Sequence, residues 1–228
     1  ASYGRNRGSR GSSSRWSYDP TGMSNEQTSL PPSVWTNLSL AKPAFRKFLH
    51  PDCPDRWFVY ELSSPFPVDN CLCWWEYTSL AGAFRASIRW TLLNAVFAQP
   101  FSFLKRILLK MYGAKIHPRA YLSPQVFIDP LFPSLLTIEE GVLLGLGARI
   151  ALHEHAGNRF RAGRVTIGRG ATIGADARIA CGVHIGAEAR IGLGSVVLRD
   201  IPERTIAIGN PARVIGHFDR PVVARSSP

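Results

Sequence analysis

Residues 151–166 read ALHEHAGNRFRAGRVT, with His153 and His155 flanking Glu154 and with Asn158, Arg159, Arg161 and Arg164 close behind. An imidazole with an ordinary pKa near 6.5 can take a proton from a hydroxyl or amine at neutral pH and pass it on. Histidine, carboxylate and guanidinium together in a polar, glycine-containing stretch are the ingredients of a site on a loop. Metal chemistry is a weaker reading. His117 and His184 are also available, but no closely paired histidine motif recurs, and three converging histidines are what a catalytic zinc needs. The cysteines at 53, 71, 73 and 181 show no C-x-x-C spacing. No metal is expected, and the default is reduced thiols.

What must position these residues is a repeat. Aliphatic residues recur every six positions: Ile116, Leu122, Ile128; Ile138, Leu144, Ile150; Ile167, Ile173, Ile179; Ile185, Ile191, Val197. Four residues after most of them comes a small or slim side chain, such as Ala120, Ala148, Ala171, Ala177, Ala189 or Ser195. A period of six suits neither an amphipathic helix nor an alternating strand. It suits a solenoid in which each hexad is a short strand plus a corner, three to a coil. Twelve hexads then make a triangular prism of four coils starting at Ile116, Ile138, Ile167 and Ile185. Two gaps, 129–137 and 151–166, break the count, and the second holds the histidines.

The text VTIGRGATIGADARIACGVHIGAEARIGLGSVVLRDIPERTIAIGNPARVI, residues 165–215, resembles the hexapeptide-repeat acyltransferases. Its ending, G-S-V-V-L-R-D-I-P followed by G-N-P-A-R-V-I, is specific when it closes a hexad array. The subgroup it is most similar to is the galactoside, maltose and nodulation-factor O-acetyltransferases, with bacterial polysaccharide enzymes, whose lead-in helix RILLKMYGAKI resembles. The resemblance implies a mainly β fold, a left-handed parallel β-helix. It implies transfer of an acetyl group from acetyl-CoA to a hydroxyl of a saccharide acceptor by a homotrimer. In such enzymes the catalytic histidine lies five residues after the last aliphatic of its coil, which here is His155, with His153 as the competing choice. Asp129 matches an acidic residue that contacts the acceptor sugar; it could equally orient the histidine, or cap a turn before Pro130. Ala175, Leu193, Leu198, Arg199 and Arg213 match cofactor-contacting positions, the two arginines facing phosphates.

The remainder carries less information. The chain has 228 residues and a formal net charge of +11, with 14 basic and 7 acidic residues before position 116. Residues 1–22 are rich in Ser, Gly and Arg and read as a disordered basic tail or as sequence upstream of Met23; a transit peptide is the other reading. Residues 23–112 form an N-terminal arm, irregular to about 79, with helices expected near 80–98 and 101–112; residues 113–216 form the β-helix domain and 217–228 a C-terminal tail. On the second helix Lys105, Arg106 and Lys110 fall on one side and Phe101, Leu104, Ile107, Leu108 and Met111 on the other. It is either a cap over the prism or a peripheral membrane contact. No transmembrane span or secretory signal is evident, and the expected location is the cytoplasm, with the inner membrane face as an additional station. Nucleic acid is not an expected partner. The alternatives to a transferase are a catalytically silent β-helix scaffold and a γ-carbonic-anhydrase-like zinc enzyme.

Overall fold

The computed structural model describes residues 34–61, 80–156 and 159–218. The 1–22 tail, the Cys71-x-Cys73 pair and most of the C-terminal tail lie outside these residues. The hexads build a left-handed parallel β-helix. Its first face stacks Lys115–Ile116, Leu136–Ile138, Val165–Ile167 and His184–Ile185. The second stacks Tyr121–Leu122, Leu143–Leu144, Thr172–Ile173, Arg190–Ile191 and Thr205–Gly209, with Ala212–His217 returning antiparallel. The third stacks Phe127–Ile128, Arg149–Ile150, Arg178–Ile179 and Val196–Val197. Register is in phase with the hexads. Ile116 pairs with Ile138 and Ile138 with Ile167, while Ile128 pairs with Ile150 and Ile150 with Ile179. Every one of these aliphatics is buried. Each contributes about 2 kcal/mol of burial, summed over four coils, which is how two-residue strands hold together.

The small residues four places on are buried as well. Corners stack so closely that they dictate residue type. A Cβ at Gly145 would lie 2.6 Å from the Ala175 nitrogen of the next coil.

The open start of the prism is covered by helix. The arm contributes strand β1 (Val34–Trp35), helix α1 (Leu38–Leu49) and strand β2 (Trp57–Glu61); helices α2 (Leu80–Phe97) and α3 (Ser102–Met111) then lead into the first coil. The α3 helix turns its polar side inward. Lys105 is fully buried and donates to the Leu122 and Ser123 carbonyls at 3.3 and 2.5 Å. Arg106 donates to the Ala120 carbonyl, and the Leu122 N–H donates to Ser102 Oγ, each at 2.9 Å. These are backbone groups of the first coil, which has no earlier coil to pair with, and buried edge groups must find partners. Burial holds the Lys105 ammonium below the ordinary lysine range.

The 151–166 gap is an antiparallel hairpin of His153–Ala156 and Arg159–Gly163. It is joined by the arm: β2 pairs antiparallel with Arg159–Gly163, and β1 pairs parallel with β2. Asn37 caps α1 by accepting the Ser39 N–H at 2.9 Å, and α1 lays Phe45 and Phe48 on this sheet. Of this arm, expected to be irregular with short elements, twelve residues form a helix, which contains Pro43. Arginines fasten arm to prism. Arg56 donates to the Gly182 carbonyl at 2.7 Å and to Asp200 at 2.8 Å, and Arg164 donates to the Asp55 and His50 carbonyls, both at 2.9 Å. Trp57 covers Gly182, whose φ of +71° and closeness to the indole leave no room for a Cβ.

Candidate active site

The third face feeds both irregular excursions. Asp129 follows Ile128 and His153 follows Ile150 by three, so the two leave the same corner on successive coils. The Asp129 N–H donates to the Ile150 carbonyl at 3.0 Å, which fixes that stacking. The Asp129 side chain is buried; Oδ1 accepts the Leu131 N–H at 2.9 Å, and Oδ2 is bonded to Nδ1 of His153. A carboxylate only accepts, so Nδ1 carries the proton and Nε2 of a neutral ring is left with its lone pair. This is the geometry of a base held in one tautomer by an acid.

Strand alternation puts His153 and His155 on one side of the hairpin and Glu154 on the other. The His153 ring meets Phe132 edge-on at 5.2 Å and lies 5.9 Å from Phe160. His155, the expected base, is more exposed and lies 5.1 Å from Phe160 and 6.1 Å from His153, centroid to centroid. Burial first, and then the neighbouring His153, hold its pKa below the ordinary 6.5. Glu154 turns away and binds the guanidinium of Arg161 at 2.7 Å. On that side burial, reinforced by Glu154, pushes the Cys181 thiol well above its ordinary range, so it is not a thiolate.

The remaining residues read from the sequence do not gather at one point. Leu198 and Arg199 are exposed on the same prism edge as the histidines, two coils on: the Ala151 N–H donates to Ile179 O and the Ala180 N–H to Val197 O, both at 2.9 Å. Ala175 and Leu193 occupy stacked corners on the other edge of the third face, where the Gly194 N–H donates to Ala175 O at 2.8 Å. Leu193 is 76% exposed. Arg213 is exposed on the return strand of the second face. Phe132 and Phe160, which pack on the histidines, were not singled out from the sequence. The signal was available: Phe160 and Ala162 alternate as His153 and His155 do, on either side of a Gly-Asn dipeptide typical of hairpins. Among the described residues no group of three or more His, Cys, Asp and Glu side chains is placed to hold a metal, and no helix is long and apolar enough to cross a membrane.

No family model matches the chain. Known proteins do. The chain is 51% identical over 55 residues, 24% of its length and 29% of the relative's, to a dTDP-3-amino-3,6-dideoxy-alpha-D-galactopyranose 3-N-acetyltransferase of Aneurinibacillus thermoaerophilus. It is 32% identical over 114 residues, 50% of its length and 64% of the relative's, to the protein named "Putative acetyltransferase YvoF" of Bacillus subtilis. The β-helix is similar to these hexapeptide-repeat acetyltransferases. A further relative is serine acetyltransferase 3, mitochondrial, of Arabidopsis thaliana, 36% identical over 114 residues, 48% of this chain and 28% of the relative. The chain spans less than two thirds of the length of each of these three relatives. Among solved structures, a maltose O-acetyltransferase from Clostridium difficile 630 superposes with a TM-score of 0.48 at 20% identity, covering 62% of this chain and 90% of that one.

Proposed function

We propose that the protein is an acetyl-CoA-dependent O-acetyltransferase acting on a saccharide hydroxyl, with His153 rather than His155 as general base. The observation that carries this reading is the bond from His153 Nδ1 to the buried Asp129 carboxylate. Asp129 keeps the proton on Nδ1 and steadies the imidazolium that forms. His153 Nε2 takes the proton of the acceptor hydroxyl as its oxygen attacks the thioester carbonyl, then returns it to the departing thiolate. His155 stays neutral beside it, because a second cation there is disfavoured. Acetyl-CoA supplies the activated acyl group. Ala175 and Leu193 present small and apolar surface suited to an extended pantetheine, while Leu198 and Arg199 lie along the histidine edge. Arg199 and Arg213 are exposed cations suited to its phosphates. A homotrimer, in which a neighbouring prism supplies the second wall of the slot, fits the exposed Leu193 and Leu198.

The test is acetyl-CoA turnover followed by free thiol release, with neutral sugars, amino sugars and serine as acceptors. Release that depends on a neutral sugar supports the reading. Release that depends on serine alone would move the acceptor to the class named for the Arabidopsis relative, and release with amino sugars alone would make the enzyme an N-acetyltransferase. Absence of both turnover and acetyl-CoA binding would favour the silent scaffold.

A further inference from the structure

Helix α3 spends its polar side on the prism. Ser102, Lys105 and Arg106 serve the backbone of the first coil, so the apolar side faces away. Met111 is 74% exposed, Phe103 54% and Ile107 53%. The preceding helix continues the surface, with Phe84 67% and Trp90 45% exposed. An isolated exposed apolar side chain is ordinary; bulky ones crowded onto two consecutive helices mark a surface with a partner.

Charge selects the partner. Helices α2 and α3 contain no Asp or Glu, and of their five Lys or Arg, Lys105 and Arg106 are turned to the carbonyls of the first coil. Arg85 is exposed beside Phe84, and Lys110 beside Met111. A second copy of this surface would bring an acid-free, basic patch against itself, which repulsion opposes. An anionic bilayer meets both requirements: acyl chains accept aromatic and aliphatic side chains, and head groups accept lysine and arginine at the rim. The indole of Trp90 suits the boundary between them. We infer that α2 and α3 form a docking surface for an anionic lipid bilayer, lying in its interface without crossing it. The inference is independent of the transferase reading.

Flotation of the full chain with vesicles tests it. Binding to phosphatidylglycerol vesicles, falling with added salt and weak on phosphatidylcholine, is expected. Arg85→Glu with Lys110→Glu should reduce partitioning roughly tenfold or more, as should Phe103→Ser with Ile107→Ser. All four positions are exposed, so the far-UV spectrum should be unchanged, and the salt titration needs no variant. The proposal is overturned if the wild-type chain fails to float with phosphatidylglycerol vesicles at low salt. It is also overturned if binding ignores both salt and charge reversal. If the serine variants instead split a larger assembly and leave vesicle binding intact, the surface is a contact between copies of this chain.

Discussion

Asp129 and His153 are 24 residues apart in sequence, yet a period of six with one excursion brings them to the same corner on adjacent coils. Asp129→Asn should keep the contact but remove the preference for the Nδ1 proton. Activity should fall by about a hundredfold or more, read as kcat with little change in the KM for acetyl-CoA. His155 makes a different, pH-linked prediction. Its folded-state pKa is depressed by burial and by His153, so the unfolded chain binds the proton more readily. Its contribution to stability is present above about 6.5 and is lost as pH falls through the folded-state value. In His155→Gln the fall in melting temperature across that window should be shallower than in the unaltered protein. An equal fall would remove the linkage.

At the level of elements, the sequence disclosed the prism and hid its support. The six-residue period survives because each aliphatic needs only its equivalents one coil away, and those recur locally. The arm has no such regularity: its strands are short, α1 contains Pro43, and its partner is a hairpin about a hundred residues downstream. Pairing of that kind is decided by tertiary packing. The histidine pair was legible for the same reason as the prism, since it falls in a break of the count. Which histidine receives the carboxylate was not, because strand alternation puts both on one side and only the turn at Asp129 distinguishes them. The α3 amphipathicity was legible, but not its direction, because that depends on the carbonyls of the open first coil. If the arm holds the hairpin in place, Phe45→Ala should cost about 3–5 kcal/mol and lower kcat as well, although Phe45 is far from the histidines in sequence. Denaturant unfolding and turnover measured on the same sample check this; a loose appendage would leave both unchanged. Ile173→Ala, within the prism, should cost about 2–5 kcal/mol.

Over the whole molecule, the surface divides by task. The prism edges on either side of the third face carry Leu198 and Leu193, which suit contact with another prism. The helical end carries the apolar and basic surface assigned to lipid. Light scattering should give three times the 25.1 kDa chain mass, unaffected by Phe103→Ser with Ile107→Ser; a monomer would leave the proposed cofactor slot with one wall.

The decisive measurement identifies the proton acceptor by comparing acceptor-dependent thiol release from acetyl-CoA in His153→Ala and His155→Ala. Loss of about a hundredfold or more in the first, with the second retaining most of its rate, is the predicted result. The reverse pattern, with His153→Ala active and His155→Ala silent, would exclude His153 as the base and make the Asp129–His153 pair a structural contact.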